Sequence, residues 1–300
     1  MGRRSATRTT SSSASTRPSQ RWLQKESCEL TRVINRRPNP RIARLLGLVP
    51  FGAVLILYVI CSDIRLHENP NDKLLPSFGS MWSAIGQLAF TPDVRTGNYL
   101  FWADTLSSLK RLAWGMGASF VIAIVFGIAL GLIPYAAALA NPFVAALSLV
   151  PPLALLPILF IALGLDELSK IVLIILGVAP YLIRELALRI EQMPYELLVK
   201  AQTMGASTFQ IIARIILPQM LPRVLDGLRF SIGPAWLFLI AAEAIASTDG
   251  LGYRIFLVRR YLAMDIIIPY VAWIAALAFL MDLGLRVLSQ RLFPWARAST

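Results

Sequence analysis

The sequence predicts an all-α membrane protein with six transmembrane helices, and three observations predict it. The chain of 300 residues is 56% hydrophobic and only 15% charged, with a mean hydropathy of +0.63. A soluble chain of this length needs more charge to cover its surface, whereas a polytopic membrane protein is covered by lipid. Six apolar stretches approach the roughly 20 residues that cross a hydrocarbon core. The basic residues, finally, gather where a cytoplasmic flank needs them. Eleven of the 29 Lys and Arg fall in residues 1–44, against only Glu26 and Glu29.

Residues 1–44 read as a disordered basic cytoplasmic tail. The start, MGRRSATRTTSSSASTRPSQRW, has the Arg/Ser/Thr bias of an organelle transit peptide. It also lacks the apolar residues needed to bury a core, which makes it a tail. The first apolar run begins near Leu45, too far in for a cleavable signal peptide. The first span is 45–61. An extracytoplasmic segment, 62–104, follows, and SFGSMWSAIGQLAF within it reads as a short amphipathic helix at the membrane interface.

The second span is 112–133, whose glycines and small residues suit close helix contacts in lipid. The third is 143–164, the fourth 168–188, the fifth 228–247 and the sixth 267–288. Pro151, Pro152, Pro157, Pro180 and Pro234 lie inside these spans, and each is expected to kink its helix. Two basic ends and an even number of spans put both termini on the cytoplasmic side. The loop 189–223 then lies inside, and residues 291–300 form a short cytoplasmic tail.

Several chemistries are excluded. The basic residues are not spread as a groove-binding face, so nucleic acid is not a predicted partner. Cys28 and Cys61 have no metal or disulfide spacing, and His67 has no second histidine of an HExxH kind. No catalytic residue, cofactor or metal is expected. An intramembrane enzyme would need a nucleophile–base or metal set within the spans, and none occurs. No G-x-x-x-x-G-K-[ST] loop is present either, so ATP hydrolysis belongs to another chain.

The loop after the fourth span is the most informative stretch. In AQTMGASTFQIIARIILP, Met204, Thr208, Ile211, Ile212, Ile215 and Ile216 recur at helical spacing. Gly205 allows a sharp turn or a close approach by another chain. Pro218 and Pro222 are expected to break the helix before the fifth span. The stretch therefore reads as two short helices at an angle.

This stretch resembles the EAA loop of binding-protein-dependent ABC importer permeases. Ala201, Gly205, Ile215, Leu217 and Pro218 fall at that motif's spacing, while Val199 and Lys200 depart from it; Glu196 is the nearby acid. The resemblance covers roughly 100–295. SLVPPLALLPILFIALGL and GLRFSIGPAWLFLIAAEAIASTDGLGYRI look like the nitrate, sulfonate and taurine branch. It implies a type I ABC importer permease fold, with a permease domain over 105–290, in a bacterial inner membrane. It also implies that Glu196, Ala201, Gly205, Ala206, Ser207, Ile215, Leu217 and Pro218 meet a cytoplasmic ABC ATPase dimer. An extracytoplasmic solute-binding protein and a second copy of the chain complete the implied partners. The competing function is an ATP-independent secondary carrier, which would carry inverted repeats and coupling-ion residues.

Two residues are candidates for the translocation path. Glu243 is an acid inside a span, either a functional group or a structural hydrogen-bonding one. Trp236 either lines the path or belongs to the bundle core. Asp282 and Arg286, at i and i+4, read as an ion pair. Branch resemblance implies a small polar solute: nitrate, a sulfonate, taurine, or a urea- or guanidine-like compound. The spans offer Glu243 but no unpaired Lys or Arg at their centres, which leans toward a neutral or cationic nitrogenous solute.

Overall fold

The computed structural model describes residues 39–69, 72–94 and 97–295. The expected tail to residue 38 and the last five residues lie outside the described residues. The chain divides into two units at Cys61 and Ser62. The first consists of most of α1, Pro40–Glu68, whose 29 residues are long and apolar enough to cross a bilayer.

The second unit begins with α2, Phe78–Phe90, the expected short helix. Ser77 caps it, its hydroxyl accepting from Ser80 N at 3.2 Å. Met81 and Ala89 are buried, whereas Phe78, Trp82 and Phe90 are exposed. α3, Leu100–Leu132, starts well before the predicted span. At 33 residues it is about 50 Å long, some 20 Å more than a hydrocarbon core. Its first three turns therefore extend beyond an apolar slab, which is why polar residues 104–111 can sit in a helix that is apolar further on.

The predicted third span is not one helix. It begins earlier, at α4, Pro134–Leu149, and breaks before a short 3-10 turn, Pro152–Leu155, and α5, Leu156–Leu163. The two parts meet at 87°. Pro151 forces Val150 out of the helical region, to φ −71° and ψ 123°, and Pro152 can then only start a new helix. The other three prolines differ from one another. Pro157 sits in the first turn of α5, where no intrahelical donor is lost. Pro234 lies four residues after Phe230, at a 46° bend between Thr208–Phe230 and Ile232–Ala246, and so marks the expected kink. α6, Glu167–Glu191, runs on through Pro180.

α6 and α3 form the centre of the unit. A Cβ at Gly115 would lie 2.7 Å from Ile174, one at Gly127 2.8 Å from Leu186, and one at Gly131 2.7 Å from Ile190. Each pair is separated by the same 59 positions, so the two helices run parallel in fixed register. With Ser119 and Ala123, these glycines make a stripe of small residues every fourth position. Such a stripe lets the helices approach closely and gain dispersion contacts, which drive association where lipid removes the hydrophobic effect.

After α6 come α7, Tyr195–Thr203, and α8, Thr208–Ile211. A π turn, Ile212–Ile216, then leads into α9, Leu217–Phe230. The chain thus stays helical from Thr208 to Phe230, correcting the expectation that Pro218 ends a short helix. The π turn is the reason. Leu217 N donates to Ile212 O, five residues back, and this widened turn accommodates a proline in the ladder. α9 bends by 46° into α10, Ile232–Ala246. α11, Leu251–Arg259, and α12, Met264–Leu292, complete the unit. α1, α3, α6 and α12 are each long and apolar enough to cross a bilayer, and counting each bent pair as one span brings the number among the described residues to six.

Candidate functional site

Two polar structures lie at opposite ends of α6. The first surrounds its start. Arg111, on α3, is 3% exposed and faces three carboxylates. Its Nη2 donates to Glu167 Oε1 at 2.7 Å, and its Nη1 to Glu243 Oε1 at 2.7 Å. It also pairs with Asp249 and donates to that residue's carbonyl at 3.1 Å. Lys170 bridges Glu167 and Ser247, each at 3.2 Å.

Glu243 is fully buried, and both of its oxygens are occupied. Ser108 Oγ donates to Oε1 at 2.8 Å, and Gly252 N donates to Oε2 at 2.9 Å. A second centre lies one helical turn along α3. Asp104 accepts from Arg254 Nε at 2.8 Å and from Gly250 N at 3.0 Å. These bonds tie α3, α6, α10 and α11 around the turn 247–250. Burial works to raise the Asp249 carboxyl, but the Ser107 hydroxyl and the Arg111 guanidinium outweigh it and hold the group below its ordinary value. An aromatic cluster adjoins. Phe101 meets Tyr270 edge-on at 5.4 Å, and Trp273 Nε1 donates to Thr105 Oγ1 at 3.1 Å.

The structure therefore places Glu243 as a bonded hub of the interior rather than on an open surface. Trp236 lies in the core at 3% exposure, with no partner for its Nε1 among the described residues. Asp282 does pair with Arg286, at 3.1 Å, and also accepts from Arg229 Nε at 2.9 Å, which joins α12 to α9. Arg111, Asp104 and Arg254 were not singled out from sequence. The signal was the spacing of Asp104, Ser108 and Arg111, one face of a helix, hidden while those residues were read as loop.

The second structure is the stretch around Gly205. α7 ends in a reverse turn, with Ala206 N donating to Ala201 O at 3.0 Å and Gly205 N to Gln202 O at 2.9 Å. This pair of bonds is a Schellman motif, and it requires the left-handed φ of +77° found at Gly205. Ser207 then opens α8 with a capping box. Its N donates to Gln210 Oε1 at 2.9 Å, and its Oγ accepts from Gln210 N at 3.3 Å. The turn is thus fixed from both sides.

Beneath it, Ile190, Ile211, Ile216 and Met220 form an apolar cluster against which Ala201, Ala206 and Leu217 pack. Ile215 and Pro218 are half-buried beside it. The outward side carries Glu196 and Ser207, with Tyr195, Met204 and Phe209 at 72%, 87% and 77% exposure. Of the eight residues expected to form the coupling surface, Glu196, Gly205 and Ser207 are exposed, whereas Ala201, Ala206, Ile215, Leu217 and Pro218 are half-buried, the last three beyond α8 in the π turn and α9.

Residues 120–294 match the family described as the binding-protein-dependent transport system inner membrane component. The chain is 40% identical over 195 residues to the taurine transport system permease protein TauC of Escherichia coli K12, covering 65% of this chain and 70% of that one. It is 33% identical over 197 residues to the bicarbonate transport system permease protein CmpB of a Synechocystis strain, covering 65% and 70%. Among solved structures, a bacterial ABC transporter importing the acidic polysaccharide alginate is similar at a TM-score of 0.55. That likeness, at 15% identity, covers 83% of this chain and 99% of that one, and it shows the type I importer permease fold. The chain belongs to the binding-protein-dependent inner membrane component family, and it is the membrane-embedded permease subunit of an ABC importer.

Proposed function

We propose that this permease imports a small sulfonate-type anion or zwitterion such as taurine. In this reading the energy comes from separate cytoplasmic ATPase chains that dock on residues 195–218. The observation that carries the coupling is the helix–turn–helix itself. A turn locked by a Schellman motif and a capping box, backed by its own apolar cluster, presents Tyr195, Met204 and Phe209 outward. Exposed apolar groups on a rigid element fit a partner surface better than they fit water. Force delivered there passes into α6 and α9, which the cluster joins.

The solute class is supported by the relatives, whose names print taurine and bicarbonate. The sequence leaning toward a neutral or cationic solute rested on the lack of an unpaired Lys or Arg at the span centres; Arg184, nearer the end of α6, stands without a carboxylate partner among the described residues. Both termini face the cytoplasm in this reading, two copies assemble, and a solute-binding protein delivers from the other side. The test is reconstitution of the permease with its ATPase and binding protein in proteoliposomes. Labelled taurine should accumulate only with ATP inside the ATPase compartment and loaded binding protein opposite. Uptake driven by an ion gradient without ATP would instead establish a secondary carrier.

A further inference from the structure

Arg184 lies on α6 seven residues before its end, about 10 Å along the helix axis from Glu191. Three other helical arginines are neutralised. Arg111 faces three carboxylates, Arg229 faces Asp226 and Asp282, and Arg254 faces Asp104. Arg184 is exposed on the surface of the single chain. Its Nη1 donates to Ser148 Oγ at 2.7 Å, and the Ser148 hydroxyl donates in turn to Ala145 O at 2.8 Å. A neutral hydroxyl thus holds the side chain in place and leaves its positive charge and most of its donors unmet. Glu185, its neighbour, turns elsewhere, with Oε2 against Gly227 of α9.

The ground beside Arg184 is unusual too. Ser148 ends α4 just before the break at Val150 and Pro151, and Val150 and Leu153 remain 38% exposed. Irregular backbone at membrane depth is tolerated only where protein covers it or water reaches it. Tyr181, half-exposed one turn before Arg184, has its hydroxyl engaged by Glu185 and leaves Arg184 to Ser148 alone. A fixed cation, the hydroxyl that holds it and an opened helix meet on one patch of the bundle.

We propose that Arg184, positioned by Ser148, contacts the anionic head of the solute on the translocation route, a sulfonate or a carboxylate. This rests on the sulfonate-import reading and specifies its site. A guanidinium suits such a head because its planar fork of N–H donors matches the oxygens in pairs. A lipid phosphate has the same chemistry, so the test separates the two sources.

The full chain carrying Cys28→Ser, Cys61→Ser and Arg184→Cys is assembled with ATPase and binding protein in vesicles of phosphatidylethanolamine and phosphatidylglycerol. A charged, water-soluble methanethiosulfonate should modify position 184, and taurine-loaded binding protein with ATP should slow that modification. In parallel, Arg184→Gln should lower taurine uptake by about 10-fold or more, the scale of losing one charge-assisted hydrogen bond, and Arg184→Lys should restore part of it. Modification only by a lipid-soluble reagent would assign the charge to headgroups and overturn the proposal. Water-soluble modification that taurine does not slow, or full uptake by Arg184→Gln, would overturn it as well. If the unsubstituted chain takes up neither sulfonates nor carboxylates, the import reading falls first, and visibly so.

Discussion

Arg111 and Glu243 meet at 2.7 Å between α3 and α10, with the carboxylate fully buried and the guanidinium nearly so. The pair holds together elements 132 positions apart in the chain. Removing the cation strands a buried carboxylate, a loss of about 3–5 kcal/mol for a buried pair. Arg111→Ala should therefore lower the unfolding midpoint of the detergent-solubilised protein by a wide margin. Glu243→Gln, which keeps a hydrogen-bonding side chain of the same shape, should cost clearly less. Equal losses in a thermal-shift measurement would show that packing rather than charge matters here.

The contact between Gly127 and Leu186 makes a sharper claim about the bundle. A Cβ there would stand 2.8 Å from Leu186 Cδ2, with no room to turn aside along a helix held in register. Gly127→Val should destabilise by about 1–3 kcal/mol through overpacking. Gly117, on the same helix with nothing within 4 Å, serves as the control, and Gly117→Ala should leave stability nearly unchanged. The two variants compared by unfolding in detergent decide it.

Gly205 separates turn geometry from partner approach. A Cβ there meets nothing within 4 Å, yet the backbone φ of +77° disfavours most side chains. Gly205→Val should cost the isolated permease about 1–2 kcal/mol, whereas Gly205→Asn, which tolerates that conformation, should cost little. Both should weaken stimulation of the partner ATPase, because both add atoms to the docking surface. Normal stimulation by Gly205→Asn would leave the glycine a turn residue and nothing more.

Ser207 supplies a milder test of the same element. Ser207→Ala removes one side of the capping box and should reduce local stability by about 1 kcal/mol. Hydrogen exchange at residues 208–211 should rise while exchange in α6 stays slow. Unchanged exchange at those amides would mean that the cap contributes nothing in the folded protein.

Orientation is open to direct measurement. A reporter active only outside the cytoplasm should give signal when fused after Phe90 and none when fused after Thr300. The reverse pattern would invert the assignment of the two polar ends.

The long apolar helices α1, α3, α6 and α12 were legible because hydropathy accumulates over many residues and survives errors at the ends. The turn at Gly205 was legible because a glycine stands between two stretches of helical spacing. Where one or two backbone bonds decide, the sequence was silent. Pro151 breaks its span while Pro180 is absorbed, and Pro218 is accommodated by a π turn that no periodicity announces. The network around Arg111 was hidden for another reason: its members are drawn from residues 104 to 254 and meet only after folding. Arg184 lies inside the fourth span but away from its centre, where the sequence offers no unpaired cation.

The parallel, fixed register of α3 and α6 gives the permease something like a lever. The two helices are locked side by side by glycines, so neither can slide along the other without collision. α6 alone is 25 residues, about 37 Å, and a tilt of about 5° applied at one tip displaces the other by about 3 Å. A hydrogen bond does not survive a shift of that size. A tilt of this pair is therefore enough, by geometry alone, to put the bond from Arg111 to Glu243 on α10 at risk, so the tightest part of the molecule is also the part best placed to register motion at its far end.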